Sequence, residues 1–493
     1  MSANFHNSDL KSKVDQLMDA LYSGGVNNPM ASIEQISYLM FIKSLTEIDE
    51  KQEQIARLSG KKYEKGFSGK FAKYSWRTIA RLSGQELFDT LSEAFEALHE
   101  LPLLSRVGKL LFRQAHLKIY NHPTLRSVVQ TIDGMDYNNS EKYDTDVKGD
   151  LYEYLLSRLS ASGSNGQFRT ARHIINMMVQ IVNPKPGEYI LDPACGTAGF
   201  LIEAYKYILG RNTSAEDIAS GHISGDKLKP EQHEFLKAHA INGYDNDAEM
   251  IKIAVMNLYL HGLPQANVQL FDPLCTQKDD DRKYDAILAN PPFAGNVNKE
   301  AIREEINLPS TATELLFVKY MIDHLSPGGR LGVIVPEGLL FGSTKAHKQL
   351  RKLILDDNEV RGIVSVPAGV FKPYSGVKTS IIFLRKGGKT EKVWFYELTA
   401  DGYSLDDKRQ PTEDKNDIPD LLTKWKDKPE SDRSWYATLE EIKENDFNLT
   451  ASRYKPQTLV AMEYPEPKVI IEDALKLEKQ IEAGLQDLLQ KIS

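Results

Sequence analysis

From about residue 148 to 392 the chain alternates short apolar runs with helical stretches, and this alternation constrains the fold more than any other feature. The runs are "YILDPA", "INGYD", "VQLFDPL", "YDAILANPP", "RLGVIVPE", "VRGIVSVP" and "TSIIFLRK". Strands separated by helices argue for an α/β fold with a mostly parallel sheet and helices on both faces. In such sheets ligands bind beyond the carboxyl ends of the strands. The motifs that carry chemistry all follow strand runs, so the expected site lies along one rim.

The flanks read differently. Residues 1–147 read as a helical domain. In "IEQISYLMFIKSLTEIDEKQEQI", Ile33, Ile36, Leu39, Met40 and Ile42 fall on helical spacing, and "GQELFDTLSEAFEALHELPLL" repeats the pattern. Between them, residues 59–77 interleave lysines with Tyr63, Phe67, Phe71, Tyr74 and Trp76. Such a stretch can grip a nucleic-acid backbone, or it is a solvated loop with its aromatics turned inward. Residues 401–466 are charged, with Pro411, Pro419 and Pro429, and read as an irregular linker. Residues 467–493 return to helix. Ile471, Ala474, Ile481, Leu485, Leu488 and Ile492 follow heptad spacing, interrupted by Glu478 and Gly484. That suits a helix pairing with a partner chain and equally one packed on its own domain.

Charge and cysteine usage narrow the function classes. The net charge is −8, whereas a chain that held nucleic acid alone would usually be basic. Either it binds none, or a partner supplies much of the contact. The two cysteines, Cys195 and Cys275, suit a reducing cytoplasm and argue against a disulfide framework. No run approaches the roughly 18 apolar residues of a membrane span, and the polar N-terminus shows no signal peptide.

Three motifs follow strands. "YILDPACGTAGFLIEAY" ends a strand at Asp192, turns through Gly196 and Gly199, and enters a helix near Phe200. Glycines let backbone approach a ligand closely, and Asp192 sets a carboxylate beside any ammonium bound over the turn. The pattern is not GxGxxG and not a P-loop. In "INGYDNDAEM", Asp245 ends the next strand, where an acid commonly accepts hydrogen bonds from ribose hydroxyls. It lies 53 residues after Asp192, against the usual gap of about 20. The polar stretch "GRNTSAEDIASGHISGDKLKPEQHE" reads as the insertion responsible. "LFDPL" then adds Asp272 at the same rim.

The third motif is the elbow Asn290-Pro291-Pro292-Phe293 that stops "KYDAILANPPF". The two prolines fix the chain's direction. The Asn290 side-chain oxygen and the Pro291 carbonyl offer two acceptors to one NH2 group, and Phe293 offers a flat face to a planar base. The lone pair of an exocyclic amine is delocalised into its ring. Two acceptors pulling on its hydrogens favour the tetrahedral, nucleophilic form. No histidine base or metal is required.

In their order, the DPACGTAGF turn, the GYDND acid and the NPPF elbow resemble the gamma-arranged N6-adenine DNA methyltransferases. "GQFRTARHIINMMV" is similar to the segment preceding the first motif in that class, with Arg169 and Ala171 where an aromatic and a proline are common. The helical N-terminal region, "KGDLYEYLLSRLS", "VPEGLLFGSTKAHKQLRKLIL" and "ADGYSLDDKR" resemble, more narrowly, the modification (M) subunits of type I restriction-modification systems. The likeness runs from about residue 10 to 410. It implies a Rossmann-like S-adenosylmethionine-dependent methyltransferase sheet over 148–400, with S-adenosylmethionine as methyl donor. Gln167, Phe168, Arg169, Thr170, Ala171 and Arg172 would border the donor. Thr197, Ala198 and Gly199 would lie under its methionine part, and Gly196 would also contact the donor. Asp192 would face its amino group, Asp245 its ribose and Asp272 its adenine amine. Asn290, Pro291, Pro292 and Phe293 would hold an adenine swung out of the duplex, with Phe371 or Tyr374 as a second wall. Implied partners are double-stranded DNA, a specificity (S) subunit, a second M chain and, as a further candidate, a restriction (R) subunit. The terminal helix would make the subunit contact, and "KAHKQLRK" is either a phosphate-touching face or a solvated one.

Rival readings are a methyltransferase of a protein glutamine amide, a catalytically silent scaffold and a nucleotide-dependent oxidoreductase. Phe293, where a tyrosine would be common, opposes the first. Intact Asp192, Gly196 and Asn290 oppose the second. The missing GxGxxG opposes the third.

Overall fold

The computed structural model of the chain describes residues 8–137, 147–161, 170–275, 282–373, 375–456 and 467–492. These form two compact units, Met1–Tyr454 and Lys455–Ser493. In the second, the helix Pro467–Ile492 carries Ile471, Leu475, Ile481 and Leu485 exposed.

The N-terminal region is helical for the expected reason. Asn28 accepts the Met30 amide at 2.9 Å, Pro29 starts the helix Pro29–Ser59, and Gly60 ends it in the left-handed region. Ile33, Ile36, Leu39, Met40 and Ile42 are all buried on it, in one core with Tyr38, Phe95 and Phe112. The aromatic-lysine stretch takes its inward form. Phe67, Phe71, Tyr74 and Trp76 are buried, and the Tyr63 hydroxyl donates to Asp49. Lys65, Lys70 and Lys73 are paired with Glu53, Glu100 and Glu93. The aromatics of that spacing are core anchors, and three of its lysines are paired with glutamates, while Lys61 and Lys62 are exposed.

All seven sequence runs form strands: β1 Ile190–Asp192, β2 Ile241–Asp245, β3 Asn267–Leu270, β4 Tyr284–Ala289, β5 Leu325–Pro336, β6 Asn358–Val366 and β7 Thr379–Lys386. Four more follow: β8 Lys392–Glu397, β9 Asp401–Tyr403, β10 Pro411–Asn416 and β11 Ser434–Thr438. The main sheet runs β11-β8-β6-β7-β5-β4-β1-β2-β3, and β9 pairs with β10 separately. β1 pairs in parallel with both β2 and β4, while β7 lies antiparallel between β5 and β6. Strand order therefore reverses between β1 and β4. That opens a crevice where doubly wound sheets bind ligands.

Two boundaries differ from expectation. The stretch 401–466, read as irregular linker, holds the β9–β10 pair, the helix Ile418–Lys424 and the edge strand β11, which pairs antiparallel with β8. Its buried anchors, among them Ile418, Leu421, Trp435, Ile442 and Leu449, are spaced among charged residues, so composition hid them. The helix Val147–Ala161, assigned by sequence to the sheet domain, sits with Leu151, Tyr152, Leu155 and Leu156 in the N-terminal core. Met250, Ile253, Met256 and Leu260, on the helix Ala248–Leu260 after β2, enter the same core.

Candidate active site

At the crevice lies a cavity of about 530 Å³, within the range of small-molecule sites. Of the expected residues, Thr170, Arg172, Asp192, Gly196, Thr197, Gly199, Asp245, Asp272, Asn290 and Pro292 line it. They come from five places in the chain, four of them following strands β1 to β4 and the fifth leading into the helix Arg172–Val182.

The turn after β1 is built by unusual dihedrals. Gly196 and Ala198 have φ of 50° and 65°, a region open to glycine and strained for alanine. The Cys195 amide donates to the Tyr244 carbonyl at 2.9 Å, and the Gly196 amide to the Asp245 carboxylate at 3.0 Å. A second Asp245 oxygen accepts the Asp247 amide at 2.9 Å. The turn and the end of β2 are one rigid piece. Ala198 is fully buried and takes no part in lining the cavity. Its role is to swing the chain into the helix Gly199–Arg211.

Electrostatically the cavity is acidic. Glu153, Asp192, Glu203, Asp245, Asp247 and Asp272 line it with a single arginine, Arg172, which faces Asp150 at 3.3 Å. Asp192 is 1% exposed. Burial, reinforced by the Asp245 charge, pushes its carboxyl up to about 8 against the pull of the Ala194 amide. Burial also raises Asp245. Such a wall favours a cationic guest, whose charge would return these groups to their ionised form. Asp272 accepts from the Leu274 amide at 3.0 Å and from the Cys275 thiol at 3.1 Å.

The elbow after β4 supplies the polar group of the opposite wall. Asn290 Nδ2 donates to Thr170 Oγ1 at 2.9 Å. Its Oδ1 is buried and accepts no hydrogen bond from the described residues. Pro291 is buried behind it. Phe293 is half-buried and meets the buried Phe371 edge to face, with ring centroids 5.8 Å apart. Ala171 packs against the sheet core instead of lining the cavity. Gln167, Phe168, Arg169 and Tyr374 lie outside the described residues.

Sequence reasoning missed several lining residues. Asn246 and Asp247 directly follow Asp245 and were within reach of the motif. Glu153 and Leu156 reach in from the helix Val147–Ala161, and Thr313 and Phe317 from the helix Thr313–His324. Neither helix carries a local signal of a site. Asn257, fully buried, donates both to the Thr197 carbonyl at 2.8 Å and to Glu153 at 3.1 Å, tying the turn to the helical region.

"KAHKQLRK" is only partly a free basic face. Arg351 is buried and donates to the carbonyls of Leu339, Gly342 and Phe447, and Lys348 pairs with Asp446, which leaves Lys345 and Lys352 exposed.

A mixed sheet, parallel from β3 through β2, β1 and β4 to β5, that reverses at β1 and carries an Asn-Pro-Pro-Phe elbow after β4 places the chain among the Rossmann-like S-adenosylmethionine-dependent methyltransferases. Residues 143–461 match the N-6 DNA Methylase family, and residues 10–132 the HsdM N-terminal domain. The type I restriction enzyme EcoEI methylase subunit of Escherichia coli is 28% identical over 478 residues, covering 91% of each chain. The EcoKI methylase subunit of Escherichia coli strain K12 is 26% identical over 480 residues, covering 91% of this chain and 84% of its own. A solved structure from the type I R-M system superposes with a TM-score of 0.73 at 25% identity, over 98% of both chains. The chain belongs to the N-6 DNA methylase family, as a type I restriction-modification methylase (M) subunit and adenine-N6 DNA methyltransferase. Among the described residues no helix is long and apolar enough to cross a membrane.

Proposed function

We propose that the cavity between β1 and β4 is where this chain methylates adenine N6, and that it does so on duplex DNA within a complex. The observation that carries the reading is the Asn290 amide. Its oxygen is buried at the cavity wall with no donor among the described residues, and an unpaired buried acceptor gains most from an incoming N–H.

The residues fit S-adenosylmethionine. When bound, it supplies a methyl group activated on a sulfonium. Asp192 would face its ammonium, Asp245 its ribose hydroxyls and Asp272 its adenine amine. Gly196, Thr197 and Gly199 give the backbone surface over which the methionine part passes. Thr170 and Arg172 border the same space, and the proposed border extends to Gln167, Phe168 and Arg169. Six acidic side chains around one cavity suit a guest with two cationic centres, its sulfonium and its ammonium.

The chain's own chemistry is then short. Phe293, backed by Phe371, stacks on the extruded base and offsets part of the unstacking cost, which is a few kcal/mol. The Asn290 oxygen and the Pro291 carbonyl accept the N6 hydrogens and draw the lone pair out of the ring, so that nitrogen can attack the methyl carbon. The C–N bond would form as the donor's methyl–sulfur bond breaks, with that electron pair going to sulfur, and the surplus N6 proton would then pass to solvent water. Neither a metal nor a histidine is needed for this.

The acidic balance of −8 fits a chain that shares DNA with others. Partners are a specificity subunit that reads the sequence, a second M chain and, where the system cuts DNA, a restriction subunit. The exposed apolar residues Ile471, Leu475, Ile481 and Leu485 of the terminal helix are the proposed contact.

The test is methyl transfer from labelled S-adenosylmethionine to duplex DNA, with and without the specificity subunit, followed by nucleoside analysis. N6-methyladenine that depends on the partner is expected. Label on cytosine or on protein, or none from a complex that binds the donor, would overturn the reading.

A further inference from the structure

The bond between Thr170 and Asn290 does more than close a gap. A primary amide can sit either way round, and the two ways differ in which atom meets the cavity. With Nδ2 donating to Thr170 Oγ1 at 2.9 Å, the buried unpaired atom is the oxygen. Turned over, the amide would leave two N–H donors buried without an acceptor. Orphaned N–H groups are rarer and less tolerated than an under-used carbonyl oxygen. The reversed amide would also repel the hydrogens of an incoming amine. A threonine hydroxyl can accept from Nδ2 or donate to Oδ1, so it anchors the amide, and the cost of two orphaned N–H groups sets which way round the amide is held.

Thr170 is itself held. It is 7% exposed and sits two residues before the helix Arg172–Val182. His173 Nε2, in the first turn of that helix, meets Asp401 Oδ2 on β9 at 2.8 Å. Asp401 is buried and also bonds Arg409, and Tyr403 stacks on the His173 ring at 4.6 Å. Arg172 faces Asp150 on the helix Val147–Ala161. These anchors, from "ADGYSLDDKR" on one side and the helical region on the other, fix where the hydroxyl stands.

We infer that Thr170 is a positioning residue for the reaction: its hydroxyl accepts from Asn290 and holds the amide with its oxygen toward the target base. The inference rests on the reading that Asn290 receives the base amine, and it gives Thr170 a task separate from bordering the donor.

The experiment uses the complex with its specificity subunit and compares Thr170→Val, which keeps the shape, with Thr170→Ser, which keeps the hydroxyl. Single-turnover methyl transfer and the donor Kd are measured on each, with Asn290→Ala as control. Thr170→Val slows the chemical step by about tenfold or more, a larger factor than any loss of donor affinity, and Thr170→Ser restores most of the rate. Loss of donor affinity with an unchanged chemical step in Thr170→Val would overturn the positioning role. So would Val and Ser variants slowed alike, or a Val variant of normal rate. Asn290→Ala transferring at the parent rate would instead bring down the reading of the elbow itself.

Discussion

The Gly196 amide donates to the Asp245 carboxylate at 3.0 Å, so the turn after β1 is clamped to the end of β2. The clamp presents an acidic wall whose groups repel one another, and the energy stored there is available to a cation that binds.

Asp192 is where that stored energy is read most directly. Its carboxyl is pushed up to about 8 by burial and by Asp245. Between its unfolded value of about 3.9 and 8 the folded chain holds a proton that the unfolded chain has lost. Stability therefore falls as pH rises through this window. Asp192→Asn is expected to raise the thermal midpoint of the unliganded protein at pH 8 while weakening donor binding at least about tenfold. In the parent, donor affinity should climb with pH through the same range as Asp192 ionises. Calorimetric titration from pH 6 to 9 checks both, and a pH-independent affinity would remove Asp192 from the ammonium's side.

Asn290→Ala is expected to lower the chemical step by about 10² to 10³, the effect of deleting one polar contact to developing charge. Donor binding should stay nearly intact, because none of the acidic wall is touched. Equilibrium binding of labelled donor beside single-turnover transfer separates the two.

Phe293→Ala should weaken productive DNA binding by about 1–3 kcal/mol, the worth of one base stacked on a ring. Phe293→Trp should retain most of it. Phe371→Ala should show a smaller loss in the same direction, since Phe371 meets Phe293 only by an edge. A fluorescent adenine analogue at the target position, brighter when unstacked, reports the flipped state in each variant.

The Asp401 latch has a pH signature of its own. Burial works to raise its carboxyl, but hydrogen bonds from His173 and Arg409 outweigh it and hold the group below the usual range. The stabilisation is complete above the unfolded value and is lost as pH falls through the lower folded one. Asp401→Asn should cost roughly 3 kcal/mol at pH 7, with the deficit shrinking below about pH 4. Denaturant melts at the two pH values measure it.

Replacing Lys65, Lys70 and Lys73 together by alanine should leave the salt dependence of DNA binding by the complex unchanged. Their charges are already matched by Glu53, Glu100 and Glu93. A slope reduced by about one per lysine would return this stretch to the DNA path.

Much of this was legible beforehand because strands and the turns after them are local. β1, β2 and β4 with their terminal Asp192, Asp245 and Asn290 could be read as apolar runs ending in a polar residue. What stayed hidden is non-local. Glu153 and Phe317 reach the cavity from helices whose own patterns speak only of packing. β11 was missed because its five residues, Ser434–Thr438, are short and lie between two charged stretches. The aromatics of 59–77 were misleading because core anchors and base-stacking rings are the same residue types, and only the neighbouring glutamates tell them apart. Ala198 shows the converse case: it sits inside the right motif, yet its contribution is a backbone angle.

The helix Val147–Ala161 and one face of the helix Ala248–Leu260 belong to the N-terminal core while also flanking the cavity. The N-terminal region is therefore not a detachable module. A fragment beginning after residue 147 would lose the helices of the N-terminal core that cover Met250, Ile253, Met256 and Leu260. Exchange of N-terminal regions between relatives would have to carry both helix faces across together, so the outward-facing sequences of such systems can diverge freely while this buried seam must change in step on both sides.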